Sequence, residues 1–139
     1  MAAPGQTRNA RRRSASRMGR YSHSPVDATA QDSDPFCSVV VPTYNRNKQL
    51  KTAINSIFAQ TFPPDKYELL IVDDGSSGGG TGEVVSELQR LHPEREIRYF
   101  YQKNAGPAAA RNLGIKEAKG EIIFFTDDDC IVPSNWMTV

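Results

Sequence analysis

The sequence is short of most features that would mark a secreted, membrane-spanning or nucleic-acid-binding protein. Its 139 residues hold two cysteines, one tryptophan and two histidines, and the formal net charge at neutral pH is only +1. No apolar run approaches the roughly 18 residues that a membrane span requires. No apolar core follows the N-terminal arginines, as a signal peptide would need. With so little histidine and cysteine, neither a zinc site nor a disulfide framework is suggested. The expectation is a soluble, cytoplasmic protein, with peripheral membrane contact left open.

Charge is unevenly spread. Residues 1–35 carry six arginines against three aspartates, with Ser, Ala, Pro and Gly making up most of the rest. Such a stretch has almost nothing to bury, so it is expected to be a disordered Arg/Ser-rich tail. Residues 36–139 carry eleven Lys or Arg and thirteen Asp or Glu. The foldable part is therefore slightly acidic, and no nucleic-acid partner is expected from it.

From Phe36 onward, short apolar runs alternate with helical periodicity. Cys37–Val41, Glu68–Val72, Ile97–Tyr101 and Glu121–Thr126 read as strands, rich in β-branched and aromatic residues. Leu50, Ala53, Ile54, Ile57 and Phe58 form the stripe of an amphipathic helix, which Pro63 and Pro64 are expected to stop. Val84, Val85, Leu88 and Leu91 give a second helix. Gly106-Pro107 opens a third through Ala118, with proline suited to the first turn. The order βαβαβαβ, with strands apolar on both faces, predicts an α/β, Rossmann-like open parallel sheet with alternating helices. In such a sheet Cys37 and Cys130 lie at opposite strand ends, about 15 Å apart or more, too far for a disulfide. Trp136 is expected to pack as core.

Right-handed crossovers put the carboxyl ends of all strands on one rim, where open α/β sheets bind ligands. Pro42-Thr43-Tyr44-Asn45-Arg46, Asp73-Asp74, Asn104-Ala105-Gly106 and Asp127-Asp128-Asp129 each follow a strand, so four polar clusters share that rim. The three adjacent aspartates repel one another unless a cation compensates. Oxygen-only ligands suit Mg²⁺ or Mn²⁺. An aromatic ring, hydrogen-bonding groups, Arg46, Arg111 and a metal-binding acid cluster are the parts that a nucleotide diphosphate requires. Asp73 is expected to hold its own turn. Asn104 reads either as a rim ligand or as a helix cap.

The motifs Val40–Arg46, Gln60-Thr61-Phe62-Pro63, Ile71–Ser76, Asn104–Gly114 and Gly120–Asp129, in that order and at that spacing, resemble family-2 glycosyltransferases of the GT-A fold. The resemblance implies a domain over 36–139 that is the donor-binding part of a nucleotide-sugar-dependent, inverting glycosyltransferase. By the same resemblance, Pro42, Thr43 and Tyr44 form the base-binding turn, and Asp74 accepts a hydrogen bond from the base. Arg111 is the donor-site arginine. Asp127 and Asp129 are the outer residues of the DxD motif, with Asp129 the metal ligand, Asp127 beside the ribose or sugar and sharing the metal, and Asp128 in the variable middle. Arg46, Asn104 and Gly106 complete the nucleotide-sugar site, with a UDP-sugar as donor and Mn²⁺ or Mg²⁺ as cofactor. The acceptor and the oligomeric state are left open.

The family's general base lies further along than Val139, so the expectation is a domain incomplete at its C-terminus, with an exposed apolar last strand and a marginal or aggregating fold when produced alone. A second reading of the same residues is a remnant that binds nucleotide or metal without transfer. A third is a receiver-type signalling domain, because Leu69–Asp74 resembles the first strand and acidic pair of that fold. There, however, the pair should close the first strand and a single Asp the third; here the pair closes the second and a triplet the fourth.

Overall fold

The computed structural model describes residues 35–138, so all of the expected N-terminal tail except Pro35 lies outside the described residues. Four strands, β1 (Cys37–Thr43), β2 (Tyr67–Asp73), β3 (Glu96–Tyr101) and β4 (Ile122–Phe125), form one sheet in the order β3-β2-β1-β4. Every pairing is parallel. Helices α1 (Asn47–Phe58), α2 (Gly80–Leu91) and α3 (Pro107–Glu117) connect them.

Alternation along the strands sorts the core into two layers. Val39, Val41, Leu69, Ile71 and Phe124 face α1 and α2, where Leu50, Ile54, Ile57, Val85 and Leu88 meet them. Val40, Leu70, Val72 and Ile123 face Ala110 of α3 on the other side. α3 is built from small residues because it lies close to the sheet: a β-carbon on Gly114 would run into the Val40 side chain.

Three sequence expectations are corrected. β1 runs on through Pro42 to Thr43. Pro42 pairs only with Val72 of β2, because β4 reaches no further than Val40; the open flank is the edge-like setting in which proline is tolerated. α1 ends at Phe58, before the prolines, its terminus closed by Ala59 N–H bonds to Asn55 and Ser56 carbonyls. Pro63 and Pro64 instead introduce a short 3₁₀ turn, Pro64–Lys66. Glu121 and Thr126 fall outside β4.

The amino end of the sheet is pinned by a buried carboxylate. Glu68 accepts hydrogen bonds from Ser38 Oγ (2.7 Å), Arg98 Nη1 (2.9 Å) and Lys119 N–H (2.8 Å), while Ser38 Oγ accepts from Gly120 N–H (2.8 Å). Three strands and the loop entering β4 are thus joined around one charge that is fully paired, as burial demands. After β4 the chain folds back beneath α1. Gln60 donates to Pro133 O (2.6 Å) and accepts from Met137 N–H (2.8 Å), and Trp136 packs on Phe124 with ring centroids 5.1 Å apart. Trp136 is partly buried and packs against the core, and both cysteines are free. β4 pairs only with β1 among the described residues, which leaves the expected open edge.

Gly120 packs against β1 so closely that a β-carbon there would meet the Cys37 carbonyl carbon and Ser38 N at 2.6 Å. Gly120→Ala is expected to destabilise the fold by about 1–3 kcal/mol, as overpacking against backbone does. Gly82→Ala has room, its β-carbon lying 3.8 Å from Tyr99, and should stabilise by up to about 1 kcal/mol. Urea unfolding of both variants checks the opposite signs.

Candidate functional site

The register aligns Thr43 with Asp73 and Asp73 with Tyr101, so the four strand exits open on one rim. There they line a cleft of about 650 Å³ formed by Pro42, Thr43, Tyr44, Arg46, Asp74, Asn104, Gly106, Pro107, Arg111 and Asp127 to Asp129. Every residue expected at the site is in this lining. Pro107, Gln102 and Cys130 were not singled out as site residues. Gln102 and Cys130 were legible only as positions directly after a strand and after the acid triplet.

Two loops are held by the acidic pair. Asp73 Oδ1 accepts from Ser76 N–H (2.9 Å) and Oδ2 from Tyr99 OH (2.7 Å), so it does hold its turn. Burial and the adjacent Asp73 carboxylate push the Tyr99 phenol well above its ordinary pKa. Asn45, at φ 51, closes the same corner: its N–H donates to Ser76 Oγ (2.7 Å) and its Oδ1 accepts from Ser77 N–H (3.0 Å). Asparagine is among the few residues that enter this left-handed region readily.

Asp74 is 5% exposed and receives four donors. Oδ1 accepts from Gln102 Nε2 (2.8 Å) and Ala105 N–H (2.8 Å), and Oδ2 from Gly106 N–H (3.0 Å) and Asn104 Nδ2 (3.3 Å). Burial alone would raise its pKa, but the hydrogen bonds from Gln102, Ala105 and Gly106 outweigh it and hold the carboxyl below its usual range. Asn104 is not a helix cap: Gly106 occupies that position, at φ 101, and Asn104 donates instead to Asp74, including its carbonyl at 3.0 Å. A carboxylate offers about four lone-pair sites. A base N–H reaching Asp74 would therefore have to replace one of these donors, and Asn104 makes the longest of the contacts. The turn before it needs glycine, since a β-carbon on Gly75 (φ 91) would meet Asn104 N at 2.7 Å.

The acid triplet divides. Asp128, expected as a variable middle residue, is instead the buried one, 7% exposed, and accepts from Thr43 Oγ1 (2.9 Å). Burial raises its pKa despite the opposing effects of Thr43 and Arg46. Asp127 and Asp129 are exposed, and with Cys130 they bring one ligand atom each within 4.8 Å of one another. Arg46 Nη1 lies 2.9 Å from Asp129 Oδ2 and 3.6 Å from Asp128 Oδ1. Tyr44 is 47% exposed at the cleft and does not cap β1. Arg111 enters no hydrogen bond or ion pair among the described residues, so its guanidinium is available to a ligand.

Residues 38–139 match the model of glycosyl transferase family 2. The glycosyltransferase AglE of Haloferax volcanii is 37% identical over 103 residues, which cover 74% of this chain and 33% of AglE. A mannosyltransferase of Pyrobaculum calidifontis, solved in complex with GDP-Man and Mn²⁺, superposes with a TM-score of 0.68 at 29% identity, covering 91% of this chain and 37% of that one. TarS 1-349 of S. aureus in complex with UDP gives 0.62 at 29% identity, covering 71% of this chain and 29% of TarS 1-349. The chain spans 29–37% of the length of these relatives. With the family model running through all four strands and both solved neighbours sharing the fold, the sheet is of the GT-A type and the chain belongs to glycosyl transferase family 2.

Proposed function

We propose that the rim cleft binds a nucleotide-diphosphate sugar together with a divalent cation, as the donor half of an inverting glycosyltransferase. One observation carries this reading: residues from four separate strand exits, with aromatic, cationic and carboxylate chemistry, line a single cleft. Two neighbours of the same fold are described with GDP-Man and Mn²⁺ and with UDP, which supports a nucleotide in that place here. A UDP-sugar is the donor we favour.

The residues fit a hard cation. Asp127 and Asp129 present exposed carboxylate oxygens close together, the donor type that Mn²⁺ and Mg²⁺ prefer over thiol sulfur. Asp129 and Asp127 would hold it, and the bound cation would stabilise the departing nucleoside diphosphate as a Lewis acid. Tyr44 offers a ring face to the base, with Pro42 and Thr43 shaping the turn beneath it. Arg111 reaches the diphosphate, and Gly106 contributes the amino end of α3. Asp74 fixes the Gln102–Gly106 segment against which the nucleotide rests.

The base that deprotonates the acceptor is assigned to none of these groups. Asp74 and Asp128 are engaged by protein donors, and Asp127 and Asp129 are given to the cation. Among the described residues no helix is long and apolar enough to cross a membrane.

Calorimetric titration with UDP and GDP, with Mn²⁺ or with EDTA, tests the site. Asp129→Asn is expected to weaken metal-dependent nucleotide binding by at least about 10-fold, a loss seen even for outer metal partners; binding unchanged by both the substitution and EDTA would sink the metal assignment. Asp74→Asn should cost about 1–3 kcal/mol, because its NH₂ replaces one carboxylate oxygen and so opposes either Ala105 N–H or Gly106 N–H. Since the Asp74 pKa is lowered in the fold, its stabilisation is present above the ordinary carboxylate pKa near 3.8 and is lost as pH falls below it. Urea midpoints measured against pH should therefore show a shallower acid decline in Asp74→Asn than in the parent protein.

A further inference from the structure

We propose that Arg46 is the resident counter-ion of Asp129 and gives up that carboxylate to the divalent cation as the nucleotide diphosphate arrives, so that cation and donor bind cooperatively. This rests on the donor and metal reading above. The observation behind it is an overlap: the Asp129 carboxylate that helps form the candidate cation group is the one that Arg46 Nη1 already contacts at 2.9 Å. Two cations on one carboxylate repel each other, so Arg46 on Asp129 Oδ2 disfavours a divalent cation at the same side chain.

Arg46 is built to move. Its side chain is 50% exposed, and its polar contacts are confined to Asp129 and, at 3.6 Å, Asp128. An exposed pair of this kind is weak and is screened further by salt. Its backbone, by contrast, is fixed: Arg46 O accepts from Leu50 N–H at 2.9 Å at the start of α1, so the guanidinium pivots from a set point. That point is in the cleft lining, together with Tyr44 and Arg111. A guanidinium released there meets the diphosphate, for which its planar fork of donors is well suited.

The exchange has a sign that can be measured. Without nucleotide, Arg46 competes with the cation; with nucleotide, it assists by binding the phosphates. The two ligands therefore tighten each other, by the same factor in both directions. Mn²⁺ binding by the full protein is measured from the electron paramagnetic resonance of free Mn²⁺, for the parent, Arg46→Gln, Arg46→Lys and Asp129→Asn, each with and without UDP.

Arg46→Gln is expected to bind Mn²⁺ alone about 3- to 10-fold more tightly than the parent, from removal of one nearby positive charge. UDP should tighten Mn²⁺ binding by about 5-fold or more in the parent, and by clearly less in Arg46→Gln. Arg46→Lys, which keeps the charge, should stay close to the parent without UDP. If the parent binds Mn²⁺ but Arg46→Gln binds it equally or more weakly, this inference is overturned while the donor site stands. If the parent binds UDP but never Mn²⁺, or if Asp129→Asn binds Mn²⁺ as the parent does, the metal reading itself fails and this inference goes with it.

Discussion

The Asp73–Asp74 pair is the constraint on which the rim depends. It sits where β2 ends, between β1 and β3, and its four carboxylate oxygens bind groups from two connections and from β3 itself. Asp73 ties its own turn and β3, and Asp74 ties the segment that leads into α3. Asp74 N–H in turn donates to Thr43 O at 2.9 Å, joining the exit of β1. Loops left to themselves would cost conformational entropy to order around a ligand. Here the order is supplied in advance by charge-assisted bonds in a shielded setting, where such bonds are strong. The preorganised part of the cleft is its Asp74 side.

The other side is organised by charge balance. The triplet adds three carboxylates to a rim whose nearby cations are Arg46 and Arg111. On the proposed reading a diphosphate would add still more negative charge, which a cation at the exposed Asp127 and Asp129 would offset. Arg46 meanwhile sits on Asp129, which keeps the carboxylates from repelling one another unopposed. On the proposed reading the same arginine would serve the empty cleft as counter-ion and the loaded one as phosphate ligand.

Much of this was legible in the sequence because the strong signals were local. Apolar runs such as Val39–Val41 and Leu69–Val72 could only be strands buried on both faces, and their alternation with helical stripes fixed a parallel sheet. Once the sheet was parallel, every polar cluster that followed a strand had to share a rim. What escaped was tertiary. Pro42 looked like the end of a strand because propensity does not know that β4 stops short of it. Asn104 looked like a cap because its partner, the Asp74 carboxylate, is thirty residues away in sequence. Glu68 gave no hint that it would be the buried hub of the opposite end, because an isolated acid in an apolar run carries no mark of its partners Ser38 and Arg98. Gln60, quoted as part of a motif, turned out to clamp the returning segment at Pro133 and Met137.

The acid triplet shows how a motif acquires its spacing. After β4 the chain closes a turn, Cys130 N–H donating to Asp127 O at 3.2 Å. That turn carries the side chains of Asp127, Asp129 and Cys130 together while Asp128 faces back to Thr43. The middle position is thus the anchor, and the outer two are left exposed. Any residue replacing Asp128 has to satisfy Thr43 Oγ1 from a nearly buried position, whereas Asp127 and Asp129 are exposed at the cleft, Asp129 paired there with Arg46. Two exposed carboxylates thus spring from one turn, with the intervening side chain holding that turn to β1.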